Sequence, residues 1–161
     1  MRSNLSFLNV YEKKTKNSKV VTQLLYGDIF KILKKKGSWI KIKNNQDNYR
    51  GYIKKNNFPS NLKSTHKVSV LCSNLYSAPD LKKKINKKLS FGSKIRIINN
   101  KKKFYKFDNM WIKKKDLKKI NYKTNNPFDG IKKFLNIKYK WGGKHFPGID
   151  CSALVQLFLN Y

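Results

Sequence analysis

Acidic residues are scarce in this chain: 8 Asp and Glu stand against 38 Lys and Arg, a formal net charge of +30 over 161 residues. Arginine is scarcer in proportion, with only Arg2, Arg50 and Arg96. The charge reads in two ways, as a surface for polyanions or as the lysine- and asparagine-rich drift of an AT-rich genome. A nucleic-acid binder draws on arginine, whose planar fork suits phosphates and base edges. Its scarcity favours drift, and no nucleic-acid partner is expected. Cysteine is limited to Cys72 and Cys151, and histidine to His66 and His145. Two cysteines exclude a disulfide scaffold and a thiolate metal site; no metal or organic cofactor is indicated. No apolar run reaches the length of about 18 residues that spans a membrane. The first ten residues lack the apolar core of a secretory signal, so a cytoplasmic location is expected. Core material is plentiful, with 39% hydrophobic and 14% aromatic residues, too much for a disordered basic tail.

An internal repeat organises the first two thirds. At an offset of 65, Asn9-Val10-Tyr11 falls on Asn74-Leu75-Tyr76, Leu24-Leu25-Tyr26-Gly27 on Leu89-Ser90-Phe91-Gly92, and Phe30-Lys31-Ile32-Leu33 on Ile95-Arg96-Ile97-Ile98. Gly51-Tyr52-Ile53-Lys54-Lys55 then resembles Met110-Trp111-Ile112-Lys113-Lys114 at offset 59. The alternation in Ser38–Lys43 and Lys94–Ile97 predicts half-buried strands with lysine outward. Gly27, Gly37, Gly51 and Gly92 are read as turns, and Asn44–Asn48 as a loop. Each copy has the size and strand pattern of a small β-barrel and resembles bacterial SH3-like domains, at 4–62 and 66–121. His66 is read as a solvated linker residue, and Cys72 as a small buried one.

The segment 122–161 reads differently. Asn126 as N-cap and Pro127 at the first helical position, with Phe128, Ile131, Phe134 and Leu135 at helical spacing, predict a helix over 127–136. After Gly142-Gly143 and Pro147-Gly148, a second helix opens at Cys151, with Leu154, Val155 and Phe158 on its face. A helix N-terminus favours a thiolate, yet a lone cysteine on a helix face also reads as core.

The string Tyr139-Lys140-Trp141-Gly142-Gly143, a six-residue loop, then Asp150-Cys151-Ser152-Ala153-Leu154-Val155-Gln156 resembles the active-site segment of NlpC-type peptidoglycan cysteine peptidases. One position departs, with Ala153 in place of Gly. With two SH3-like copies ahead of it, the chain resembles the intracellular dipeptidyl-peptidase branch. The fold class implied is mainly β followed by α+β: two tandem SH3-like β-barrels, then the N-terminal helical part of a papain-like peptidase domain at 122–161. The resemblance implies Cys151 as nucleophile and Tyr139 beside the thiol. It implies Asp150 and Ser152 at the substrate's N-terminal amine, and Tyr49 as the residue by which the first barrel closes the pocket. Asp150 also reads as a helix N-cap. The implied substrates are peptidoglycan-derived stem peptides, cut at the γ-D-glutamyl-diamino acid bond with release of L-Ala-γ-D-Glu.

A cysteine peptidase needs a base. In this family it is a histidine well downstream of the cysteine, whereas both histidines here precede Cys151. His145 is read as a loop or rim residue. The expectation is an N-terminal fragment, inactive alone and completed by a fragment carrying the histidine, with Leu154, Val155, Leu157 and Phe158 exposed on the nucleophile helix. The alternatives are a non-catalytic SH3-like module holding cell-wall fragments and a basic nucleic-acid binder.

Overall fold

The computed structural model describes residues 1–126 and 128–161. Alternating apolar and basic residues fold the first unit into five antiparallel strands: β1 (Phe7–Tyr11), β2 (Val20–Leu25), β3 (Phe30–Lys36), β4 (Trp39–Asn44) and β5 (Arg50–Lys54). Their order is β2-β1-β5-β4-β3. Strand period two sends Ile40 and Ile42 of β4 inward to Val10, Leu24, Phe30, Ile53 and Phe58, while Lys41 and Lys43 face outward. Gly51 is not a turn residue but lies buried within β5. A Cβ there would come 2.6 Å from Val10 Cγ1.

The second unit comprises β6 (His66–Val68), β7 (Cys72–Tyr76), β8 (Lys84–Ser90), β9 (Lys94–Ile95), β10 (Asn99–Lys101), β11 (Phe104–Phe107), β12 (Met110–Lys113) and β13 (Leu117–Lys119). Its main sheet runs β8-β7-β12-β11-β10, repeating the first strand for strand. The Tyr11–Tyr52 pairing of β1 with β5 returns as Tyr76–Trp111 of β7 with β12. The counterpart of β3 is broken in two, and β9 leaves for a separate sheet ordered β13-β6-β9. The strand expected over Lys94–Ile97 therefore stops at Ile95. His66 is not in a solvated linker; it pairs with Ile95 and Lys119 in that sheet.

The third segment holds a 3₁₀ turn (Ile131–Phe134), a hairpin of β14 (Lys144–His145) and β15 (Gly148–Ile149), and α1 (Cys151–Leu159). Among the described residues α1 is the only α-helix, so the expected helical papain-like part is not seen. The helix expected over 127–136 is the short 3₁₀ turn. Pro127 lies outside the described residues; Asn126 Oδ1 accepts the Phe128 N–H at 2.9 Å, but it caps no helix, since the 3₁₀ turn starts after Gly130 with no side-chain cap. A helix persists when one face is buried. Here Phe128, Ile131 and Leu135 are exposed and only Phe134 is buried. Phe158 packs so closely on Gly130 that a Cβ would come within 3.0 Å of its ring.

The units interlock. Tyr26 leaves the first unit to join the core of the second, with Val68, Leu75, Leu89, Ile95 and Phe107. Phe91 leaves the second to join Leu25, Phe134, Ile149, Ala153, Leu157 and Phe158 in a third core. The glycine after each ring has a positive φ, +85° at Gly27 and +80° at Gly92. There the next unit comes close: a Cβ on Gly27 would lie 2.0 Å from Lys94 O, and one on Gly92 3.1 Å from Leu157 Cδ2. Buried Lys67 donates to the carbonyls of Tyr122 and Tyr161, clasping the third segment to β6.

Candidate active site around Cys151

Asp150 organises the start of α1. Its Oδ1 accepts the Ala153 N–H at 2.7 Å and the Ser152 hydroxyl at 2.8 Å, and its Oδ2 accepts the Gly142 N–H at 3.0 Å. One carboxylate thus caps the helix and pins the Trp141-Gly142-Gly143 turn to it. The helix then begins with Cys151 exposed at its first position. Among the described residues the N–H groups of Cys151 and Ser152 have no acceptor, as at any free helix start.

Tyr139 is 64% exposed, and its backbone runs parallel beside Ile149, two residues before Cys151. Lys140 N donates to Ile149 O at 3.1 Å, and Ile149 N to Lys138 O at 3.2 Å. Trp141, Val155 and Leu159 are also exposed. The helix faces differ from expectation. Phe158 and Leu157 are 2% and 5% exposed, packed in the third core. Cys151, Val155 and Leu159 form the open stripe instead, one residue in four.

Tyr49 ends the turn after β4 and is 43% exposed, its N–H donating to Asp47 Oδ1 at 3.0 Å. A residue absent from the sequence reading ties this turn to the cysteine loop. Lys144, 1% exposed, donates to Gln46 Oε1 at 3.2 Å and lies 3.9 Å from Asp47 and 4.0 Å from Asp28.

Gln23 supplies a second tie. Its Oε1 accepts the Lys144 N–H at 2.7 Å and Nδ1–H of His145 at 2.9 Å, while its Nε2 donates to Asn9 Oδ1. His145 is therefore no rim residue: it is 5% exposed and its ring stacks on Phe7. Burial, reinforced by Lys140, pushes its pKa down to about 4, so the ring is neutral at neutral pH. No hydrogen bond joins Cys151 to either histidine among the described residues. Cys72 is half-buried rather than fully so, and burial raises its thiol pKa, opposed by Lys88 and Lys84. No described helix is long and apolar enough to cross a membrane.

Comparison with known proteins bears on this geometry. No curated protein matches the sequence. A crystal structure of an NlpC/P60 family protein from Bacillus cereus superposes with a TM-score of 0.81 at 17% identity, covering 98% of this chain and 70% of that one. NlpC2 from Trichomonas vaginalis gives a TM-score of 0.32 at 19% identity, over 96% of this chain and 61% of that one, too weak a likeness to establish a shared fold. Residues 6–58 match the bacterial SH3 domain family. The chain is thus mainly β, carries a bacterial SH3 domain in its first unit, and shares its fold with the Bacillus cereus NlpC/P60 protein.

Proposed function

We propose that this chain is the front part of a cysteine peptidase acting on cell-wall stem peptides. In this reading the second unit is also SH3-like, and the domains divide at 4–62, 66–121 and 122–161. The observation that carries the reading is an exposed cysteine opening α1, on a loop that Lys144 ties to the turn bearing Tyr49. Cys151 Sγ attacks the γ-D-glutamyl carbonyl, the amine of the diamino acid leaves, and water later hydrolyses the thioester. The free N–H groups at the helix start hold the oxyanion. Tyr139 flanks the thiol. Asp150 and Ser152 receive the amine of the N-terminal L-Ala, and Tyr49 limits the pocket to short peptides. With His145 bonded to Gln23, the base that takes the thiol proton and returns it to the leaving amine comes from outside these 161 residues.

An electrophilic analogue of L-Ala-γ-D-Glu tests the reading. It is expected to alkylate Cys151 ahead of Cys72 and to be competed off by the free peptide. Labelling without competition removes the substrate assignment. The chain alone is expected not to release L-Ala-γ-D-Glu from the tripeptide. Release that vanishes in Cys151→Ser would return the role of base to His145. The second reading, a binding module for peptidoglycan fragments, is favoured by the match over 6–58. It predicts fragment binding that survives Cys151→Ser and is indifferent to Tyr49→Ala.

A further inference from the structure

Of the four Lys-Lys-Lys runs in the chain, three, at 82–84, 101–103 and 113–115, fall in the second unit and one, at 34–36, in the first. The topology of the second unit gathers five lysines of the last two runs, Lys102, Lys103, Lys113, Lys114 and Lys115, around one cavity. The turn between β10 and β11 carries the middle run, and the end of β12 carries the last. Lys114 N donates to Lys103 O at 2.9 Å, which fixes these two side by side. Leu81 opens the first run and faces them across a cavity of about 450 Å³, which Phe104 and Leu81 line with apolar surface. Among the described residues none of these lysines has a carboxylate within 4.0 Å. The nearby acids are engaged: Asp80 accepts the Lys82 N–H at 2.9 Å, and Asp116 accepts the Ser73 hydroxyl at 2.7 Å.

The first unit is an internal control. It has the same strand order, and the repeat offsets place Gly37, Ser38, Lys54, Lys55 and Asn56 opposite the five lysines that line the cavity, two lysines against five. The counterpart of Phe104 is Trp39, and Lys54 Nζ lies 4.4 Å over its ring. The first unit has a lysine run of its own, Lys34-Lys35-Lys36, but it ends β3 before the equivalent turn at Gly37-Ser38. In the second unit Lys114 Nζ donates to Asn100 Oδ1 at 3.3 Å and lies 5.0 Å over Tyr105, and Lys113 lies 5.8 Å over Tyr76, but neutral partners do not cancel charge. Like charges around one cavity without a carboxylate repel one another, and a multiply charged anion relieves that repulsion.

We propose that this cavity binds a compact anion carrying several phosphates, with any ring or chain portion against Leu81 and Phe104. Ammonium groups act on phosphate as point charges, and the cavity has the size of a small-ligand site.

The test is calorimetric titration of the whole chain with inorganic tripolyphosphate, and sedimentation with phosphatidylinositol bisphosphate vesicles against phosphatidylcholine vesicles. Lys102→Gln/Lys103→Gln/Lys114→Gln is expected to weaken binding about tenfold or more. The equal-charge control Lys36→Gln/Lys54→Gln/Lys55→Gln is expected to change it less than about twofold. Tripolyphosphate binding identifies a soluble source; binding of phosphatidylinositol bisphosphate vesicles alone identifies a lipid headgroup. Equal losses in the two triple variants, or no binding to either probe, overturn the proposal. On the unmodified chain, tripolyphosphate should protect Lys102, Lys103 and Lys114 from acetylation. Protection spread evenly over the lysines would overturn it as well.

Discussion

Tyr26 and Phe91 occupy the same position in the two copies of a repeat, and each buries its ring in the core of the unit that follows its own. Tyr26 meets Phe107 edge-on at 5.5 Å and donates its hydroxyl to Asp108, which also pairs with Arg2 at 3.1 Å. Phe91 stacks on Tyr161 at 4.3 Å and packs against Phe134 and Phe158. The second unit is thus a successor to one ring and the donor of another.

Removing the second ring should disconnect the third segment. Phe91→Ala is expected to cost about 3–5 kcal/mol. Hydrogen exchange should show the loss in the amides of α1, while β1 to β5 stay protected. A uniform loss over all three units would show that the third core does not depend on this ring.

The His145 contact makes stability depend on pH. The folded pKa is about 4, below the usual value of 6.5, so between these values the unfolded chain binds more protons. The contribution is complete above pH 6.5 and is lost as pH falls toward 4. His66, also lowered by burial, acts in the same direction. The denaturation midpoint of the native chain should therefore fall faster over this window than that of His145→Gln. The difference between the two profiles separates His145 from the carboxylates and from His66.

Lys144 is the buried cation between two buried carboxylates. Lys144→Met leaves Asp28 and Asp47 without it, and breaking a buried pair from one side costs about 3–5 kcal/mol. The exchange protection of the Asn44–Tyr49 turn should fall together with that of β14. If only β14 loosens, the turn bearing Tyr49 is held by its own Asp47 contacts.

Much of this arrangement was legible in the sequence, for reasons of period and local chemistry. The offset of 65 carries β1 onto β7 residue for residue, and Asp150 before a run of apolar residues marks the start of α1. The helix expected over 127–136 was not legible as a 3₁₀ turn, because what decides it is Phe158 lying on Gly130 from a distant part of the chain. The helix face was misassigned for the same reason: heptad-like spacing cannot tell which of two apolar stripes meets Phe91. Gln23 and His145 are 122 residues apart, and a glutamine within a strand gives no sign that it will hold a histidine. Lys144 was one lysine among many until the fold placed two aspartates around it.

The two thiols should separate in a labelling experiment. Cys151 is exposed, whereas Cys72 is half-buried with its thiol pKa raised. Iodoacetamide at neutral pH is expected to modify Cys151 first, with Cys72 catching up as the pH rises or as the chain unfolds. Equal rates across pH would argue against a distinct environment at the start of α1.

The forward interlock also sets an order of events during synthesis. The chain leaves the ribosome N-terminus first. The first unit can complete its own sheet while Tyr26 is still bare. The second unit then takes up that ring and leaves Phe91 bare in turn, until Phe134 and α1 emerge. Every partly made chain therefore displays one aromatic ring at its growing edge, and that ring is the docking point for the segment synthesised next.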